Sequence, residues 1–382
     1  MISSRARHIK PFIVMEILEK AKAMEARGMK VIHLEVGEPD FETPSPITEA
    51  AIRAMKEGKT QYTHSMGLPE LRETIAAHYY DKYAVNISPA QIIVTTGTSP
   101  GMLLLFSALI ESGDRAIMPD PHYPSYPYVV NFFGGEPSFV PVHEENGFQL
   151  VPAEVKKKIT RKTKAVLINS PANPTGALLN AEAVKGIAEL GPLVVSDEIY
   201  HGLVYEGRER SILEFTDRAC VINGFSKLYA MTGWRLGYVI VPQKMARPLQ
   251  KIHQNFFISA NAFVQWAGIV ALTDPGVKKI AERMRRVYDI RRRVMVAHLK
   301  EIGFGIPHPP GGAFYVFANA KRFGKNSLRF AQDILDKAQV AVAPGIDFGR
   351  GGEGYLRFSY ATSLENITIG MKRLSAYLRR ST

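Results

Sequence analysis

The sequence predicts an α/β fold built on a mostly parallel sheet that is flanked by helices. Short apolar runs at residues 91–96, 165–168, 193–196 and 220–222 alternate with stretches of helical periodicity. Such alternation is typical of parallel sheets, which bind ligands at the carboxyl ends of their strands. The chain has 382 residues, more than one hydrophobic core usually serves, so we expect two domains.

The N-terminal part is expected to form a helix, a short strand and a ligand-facing turn. Residues 11–28 carry apolar side chains at helical spacing and end at Gly28, a natural helix stop. A strand at 31–34 then runs into a Gly-Glu-Pro-Asp turn. The glycine of this turn, Gly37, would let the backbone approach a ligand closely. Tyr62 lies in the next segment, and taken alone it would be interpreted as a packing aromatic.

The turn after the 91–96 strand predicts a phosphate site. Gly97, Thr98 and Ser99 follow this strand and open an apolar helix. The N–H groups and the dipole of a helix start favour an anion. A dinucleotide site is disfavoured, because Ser99 and Met102 occupy the second and third glycine positions of the dinucleotide-binding pattern.

Polar and aromatic residues also follow the next strands. Tyr123 lies in a proline-rich turn, and its ring suits offset stacking on a flat ligand. Asn173 stands in Asn-Pro-Thr-Gly after the 165–168 strand, while Asp197 and Tyr200 belong to Asp-Glu-Ile-Tyr after the following strand. Each of these positions taken alone also has a structural interpretation, as a turn or a helix cap.

The segment around which the chain is organised follows the apolar run 220–222. It places Lys227 between Ser226 and Arg235 at the end of the sheet. One interpretation is a lysine that condenses with a carbonyl while the serine and the arginine hold a phosphate. The other is a surface lysine in a turn, which is the commoner case for lysines.

The C-terminal part is expected to form a smaller α+β domain. We expect three segments, namely an N-terminal arm with part of the small domain (1–42), a large cofactor-binding domain (43–275) and a small domain (276–382). Residues 355–360 predict a strand with Arg357 on its polar face. An arginine there offers a rigid fork to a carboxylate.

Composition narrows the function further. The net charge is +12, but the densest basic cluster, residues 282–293, has apolar positions at helical spacing. This favours the solvated face of an amphipathic helix over a nucleic-acid surface. No apolar run approaches the roughly 18–20 residues that span a bilayer. The single cysteine, Cys220, and an N-terminus without an apolar signal core predict a cytoplasmic protein, and we expect no metal site.

Taken together, the motifs resemble class I/II aminotransferases, the pyridoxal-phosphate (PLP) enzymes of fold type I. Gly-Phe-Ser-Lys followed by Met-Thr-Gly-Trp-Arg-Leu-Gly-Tyr sets a lysine, an arginine and glycines at the family's spacing. Asn-Pro-Thr-Gly and Asp-Glu-Ile-Tyr also match, and the resemblance covers nearly the whole chain in order. It implies transfer of the amino group of an L-amino acid to a 2-oxo acid through a PLP Schiff base on a lysine.

The resemblance implies roles for the residues around the cofactor ring. Lys227 would bind PLP and, once freed, move a proton from the substrate. Asp197 would keep the pyridine nitrogen protonated. Tyr200 and Asn173 would hydrogen-bond the phenolic oxygen, and Tyr123 would stack on the ring.

It also implies a phosphate site, a substrate site and an assembly. The expected phosphate contacts are Gly97, Thr98, Ser99, Ser226, Arg235 and, from the neighbouring subunit, Tyr62. Tyr62 therefore implies a homodimer with shared active sites. The substrate carboxylate would meet Gly37, Asn173 and Arg357.

More than one substrate and more than one reaction are compatible with these motifs. Members of the family that act on aspartate often carry small hydroxyl residues in the first helix and a lysine near the phosphate turn. Here residues 12–15 are apolar and the turn has Thr98 and Ser99, which favours neutral or aromatic amino acids, with aspartate as the alternative. A PLP-dependent carbon–sulfur lyase would share the lysine, the aspartate and the arginine. A DNA-sensing regulator usually adds an N-terminal domain, and only about thirty residues precede the first strand here, so we expect no nucleic-acid partner.

Overall fold

The computed structural model describes residues 2–3, 6–7 and 9–380. Its helices, in chain order, are α1 (Ile13–Glu25), α2 (Ser45–Lys56), α3 (Pro69–Tyr83), α4 (Thr98–Leu109), α5 (Ser125–Phe132), α6 (Pro152–Lys158), α7 (Ala181–Ala188), α8 (Gln243–Phe256), α9 (Ala262–Thr273), α10 (Pro275–Ile302), α11 (Ser327–Ala338) and α12 (Leu364–Arg379). Its strands are β1 (Ile32–His33), β2 (Ile92–Thr95), β3 (Arg115–Asp120), β4 (Glu136–Pro141), β5 (Thr163–Asn169), β6 (Leu193–Asp197), β7 (Ala219–Gly224), β8 (Gly237–Ile240), β9 (Tyr315–Asn319), β10 (Val340–Ala341), β11 (Ala343–Pro344) and β12 (Tyr355–Ser359). Over these ranges, no helix is both long and apolar enough to cross a bilayer.

The large central sheet carries the site. Within the described residues it has seven strands in the order β2-β8-β7-β6-β5-β3-β4, and every neighbouring pair is parallel except the two pairs that β8 makes. Both faces are covered, since Ile92 and Val94 join one apolar cluster while Ile93 joins the other. The turns after β2, β5, β6 and β7 therefore meet at one edge, which confirms the predicted fold class.

A second, smaller unit gathers around its own core. An antiparallel sheet with the order β11-β12-β9 packs with α10, α11 and α12, and its buried cluster includes Tyr288, Phe314 and Phe358. The N-terminal strand β1 pairs with β10 in parallel, with Ile32 opposite Val340. This pairing brings the start of the chain to the smaller unit. The expected boundaries after residues 42 and 275 stay a prediction.

The interpretation of the basic segment is partly wrong. In α10, Arg291 and Arg292 are buried, whereas Ile290, one of the apolar positions at helical spacing in this segment, is 51% exposed. The guanidinium of Arg291 pairs with Asp40 at 2.7 Å, and that of Arg292 pairs with Glu206 at 2.7 Å. Ion pairs to neighbouring segments compensate for burying these charges, and the sequence spacing of α10 contains no sign of those partners.

Candidate active site

A cavity of about 390 Å³ lies at the carboxyl edge of the central sheet. It is lined by most of the residues that the sequence nominated, namely Gly37, Thr98, Ser99, Tyr123, Asn173, Asp197, Tyr200, Ser226, Lys227, Arg235 and Arg357. Gly97 borders the lining through its contact with Arg235. Tyr62 does not line the cavity and is 82% exposed. The structure therefore brings together all but one of the nominated positions.

Lys227 follows β7 and points its amine into the cavity. The amine donates a hydrogen bond to the carbonyl oxygen of Gly37 at 2.8 Å. Withdrawal from bulk water lowers the pKa of Lys227 to about 8; Glu38 opposes this shift, while Arg357 and Arg235 add to it. A lysine so placed has a substantial neutral fraction near neutral pH, as a nucleophile or a base requires.

Asp197 ends β6 as a buried and well-oriented carboxylate. Its Oδ2 accepts a hydrogen bond from the Tyr126 hydroxyl at 2.8 Å, and its Oδ1 accepts one from the Ile199 N–H at 3.2 Å. Burial raises the pKa of Asp197 to about 6, against the effect of these two donors. Sequence reasoning missed Tyr126. The aromatic run that nominated Tyr123 contained it, but no spacing rule separates the two rings.

Tyr200 is held by a second tyrosine that the sequence did not nominate. The hydroxyl oxygens of Tyr200 and Tyr315 lie 2.8 Å apart, and both residues are buried. The Tyr315 ring centroid also lies 4.3 Å from the guanidinium carbon of Arg357. Tyr315 thus links the two polar residues on this side of the cavity. The only signal for it was the Pro-Gly-Gly-Ala-Phe-Tyr segment.

Arg357 is 2% exposed and lines the cavity, whereas Leu356 and Phe358, on the other face of β12, join the core of the smaller unit. β12 lies between β11 and β9, and all five of its residues are buried. Its guanidinium donates to Asn173 Oδ1 at 2.9 Å and to the Glu35 carbonyl at 2.5 Å. The Asn173 N–H in turn donates to Asn169 Oδ1 at 2.8 Å, which fixes the amide beside the arginine.

The part of the cavity at the start of α4 is suited to an anion. α4 begins at Thr98, and Thr98 and Ser99 of its first turn line the cavity, where a helix start favours an anion. Gly97 has φ 105°, and a Cβ there would lie 2.3 Å from a guanidinium nitrogen of Arg235. Only glycine therefore lets Arg235 approach the helix start this closely.

The side of the cavity formed by the N-terminal helix is apolar. Phe12, Val14, Met15 and Leu18, at the start of α1 and in its first turns, line it. Phe12 packs edge to face on Tyr123, with ring centroids 6.2 Å apart, and Met15 is 45% exposed. We call these four side chains the apolar wall. The family resemblance had already implied that residues 12–15 of this helix face the substrate, and Phe12, Val14 and Met15 do line the cavity.

The donor set fits PLP. It combines a lysine amine of lowered pKa, a buried carboxylate for a pyridinium nitrogen, and a helix start with an arginine for a phosphate. In the described ranges no group of three or more His, Cys, Asp or Glu side chains is arranged to hold a metal ion. The fold and the site therefore define a fold type I PLP-dependent enzyme.

Comparison with known proteins identifies the family. Residues 29–374 match aminotransferase class I and II, and the chain belongs to this family. The (5-formylfuran-3-yl)methyl phosphate transaminase of Methanocaldococcus jannaschii is 42% identical over 383 residues, and the alignment covers 100% of both chains. The aspartate aminotransferase of Pyrococcus horikoshii is 40% identical, with 99% of this chain and 97% of that protein covered.

A solved structure agrees. A Methanococcus jannaschii protein, described as similar in its active site to kynurenine aminotransferases, superposes with a TM-score of 0.93 at 42% identity, covering 99% of this chain and all of that one. The chain is therefore a PLP-dependent aminotransferase that acts on an amino acid and a 2-oxo acid. The predicted family, fold type, cofactor and reaction are confirmed, and these relatives do not favour the lyase alternative.

Proposed function

We propose that the enzyme transfers the amino group of a neutral or aromatic L-amino acid to a 2-oxo acid such as 2-oxoglutarate. The observation that carries this proposal is the apolar wall. Once the polar side chains are assigned to the cofactor and to the substrate α-carboxylate, this wall is the lining that remains for the substrate side chain. The relatives leave the donor open, since one is named for aspartate and another is likened to kynurenine aminotransferases.

The charges around the cavity support an uncharged substrate side chain. Among the described residues that line it, the basic side chains are Lys227, Arg235 and Arg357. We assign the first to the cofactor, the second to its phosphate and the third to the substrate α-carboxylate. Glu38 also lines the cavity and would repel a second carboxylate. The substrate side chain then meets the apolar wall.

We assign the proton transfer to Lys227. Bound PLP supplies an electron sink for the electron pair left when the substrate Cα loses its proton. The Lys227 amine would take this proton from the substrate Cα and deliver it to the carbon of the cofactor that receives it. The lowered pKa of Lys227 favours the neutral amine that this transfer needs. The carbonyl of Gly37 accepts a hydrogen bond from this amine and so directs it within the cavity.

The remaining polar residues orient the cofactor and the substrate. We assign Asp197, fixed by Tyr126, to holding the positive charge of the ring nitrogen. Tyr200 and Asn173 would donate to the phenolic oxygen, and Tyr123 would stack on the ring. Two donor nitrogens of Arg357 suit a bidentate carboxylate, because Arg forks match that geometry.

The phosphate side and the assembly complete the proposal. The expected phosphate contacts are Gly97, Thr98, Ser99, Ser226 and Arg235, all at or beside the start of α4 or the lysine turn. Tyr62 is 82% exposed and does not line its own cavity, which supports its assignment to the neighbouring subunit of a homodimer. Localisation in the cytoplasm stays a prediction.

Steady-state kinetics with three donors tests the proposed substrate class. With 2-oxoglutarate as acceptor, we expect kcat/KM for phenylalanine to exceed that for aspartate by at least about tenfold, because each basic side chain among the described lining residues already has a role and none is left for the distal carboxylate of aspartate. The kcat/KM for alanine should lie between the values for aspartate and phenylalanine or close to that for phenylalanine. A higher kcat/KM for aspartate than for phenylalanine would contradict the proposal.

A further inference from the structure

The start of α1 is capped by a residue from the other end of the chain. The N-cap residue Phe12 offers no side-chain acceptor. Instead, the N–H groups of Ile13 and Val14 donate to the two carboxylate oxygens of Asp347, each at 3.1 Å. A carboxylate at this position satisfies N–H groups that lack partners within the helix and complements the helix dipole.

Asp347 belongs to the segment that packs against the substrate arginine. It lies in the short turn Gly345–Phe348, directly after β11, whose Ala343 is paired with Arg357. The ring of Phe348 lies 4.8 Å from the guanidinium carbon of Arg357. Burial raises the pKa of the Asp347 carboxyl, while the two N–H donors and Arg357 act in the opposite direction.

The two halves of α1 are held differently. Ile17, Ala21 and Met24 pack into an apolar cluster with Leu335 and Ala341. An exposed pair, Lys20 with Asp336 at 2.7 Å, adds to this half. The first turn, which carries most of the apolar wall, instead depends on Asp347 and on the burial of Val14 beside Phe348. Loss of Asp347 should therefore loosen the wall without releasing the helix.

We propose that Asp347 is a positioning residue that sets specificity, because it holds the first turn of α1 so that Phe12 and Met15 close over the substrate side chain beside Arg357. This inference rests on the proposed function, in which the apolar wall contacts the donor. Asp347 itself does not line the cavity. Loss of Asp347 should therefore weaken the binding of donors with large side chains and leave the binding of donors with small side chains unchanged.

Kinetics of the holoenzyme test this inference. For Asp347→Ala we expect the KM for phenylalanine to rise about five- to tenfold, the scale of losing a helix cap. The KM for alanine and both kcat values should stay within about twofold, and Asp347→Asn, which retains one acceptor, should lie between. The matched control is Asp336→Asn, which removes the exposed pair in the other half of α1 and should leave the ratio of the two KM values unchanged. Equal changes for both donors, or no change, would overturn the inference.

Hydrogen exchange separates this inference from the proposed substrate class. In Asp347→Ala, the amide hydrogens of Ile13 and Val14 should exchange several-fold faster, while those after Ile17 keep their rates. Unchanged exchange at the first turn would overturn the role of Asp347 alone. If the unsubstituted enzyme prefers aspartate to phenylalanine, the proposed substrate class is wrong. Faster exchange in Asp347→Ala, together with a changed ratio of the KM for a large donor to the KM for a small donor, would still support the positioning role of Asp347.

Discussion

The two sides of the cavity are built in different ways. On the sheet side, polar residues follow strands of a sheet covered on both faces, and buried partners fix two of them: Tyr126 holds Asp197, and Arg357 of the smaller sheet holds Asn173. On the helix side, the apolar wall stands on α1, whose first turn is held from outside by Asp347. Met15 on that side is 45% exposed.

This difference separates chemistry from specificity. Proton transfer and charge stabilisation need groups held in one geometry, which a packed sheet edge supplies. Side-chain recognition needs only a surface of suitable polarity, and a helix whose first turn is held by Asp347 can change that surface without disturbing the sheet. Substitutions on the sheet side should therefore abolish turnover, whereas substitutions on the helix side should redistribute KM among donors.

The largest effect is expected at Lys227. Lys227→Ala removes the amine that binds the cofactor and moves the proton, so we expect kcat to fall by at least about 1000-fold even with saturating PLP. Lys157→Ala is the matched control, since Lys157 is an exposed lysine paired with Glu154 at 2.6 Å and lies outside the cavity lining. Full activity of Lys227→Ala in a transamination assay would refute the assignment.

The pKa of Lys227 predicts the pH dependence of cofactor uptake. Its pKa is lowered to about 8, so the neutral amine that attacks PLP becomes more abundant as pH rises. The rate at which the apoenzyme regains its visible absorbance should rise about tenfold per pH unit below pH 7.5 and level off above pH 8.5. Glu38 raises this pKa, so Glu38→Gln should move the midpoint to lower pH. A rise that continues to pH 10 in both proteins would show an ordinary lysine.

The smallest effect is expected on the apolar wall. Phe12→Ala removes an aromatic surface that packs edge to face on Tyr123, and we expect the KM for phenylalanine to rise about fivefold. The KM for alanine serves as the internal control, since its methyl group is too short to reach the wall. A matching rise for alanine would mean that Phe12 acts by supporting Tyr123 instead, and the comparison between the two sides would lose its basis.

The sequence predicted the sheet side far better than the helix side. Lys227, Asp197 and Asn173 stand in turns that directly follow apolar strands, and parallel strands bring such turns together at one edge. Tyr126, Tyr315 and Asp347 escaped because their partners are distant in the chain, and no local pattern encodes such a contact. Arg291 and Arg292 were misplaced for the same reason, since Asp40 and Glu206, which pair with them, lie on other segments.

The most direct test of the central claim is a half-reaction. The PLP-loaded protein is mixed with phenylalanine alone, without any 2-oxo acid, while visible absorbance and released oxo acid are followed. We predict that the absorbance of the bound cofactor is lost with about one equivalent of oxo acid per subunit and that added 2-oxoglutarate restores it. Release of ammonia over many turnovers without an acceptor, or a protein that never gains PLP absorbance, would contradict the assignment.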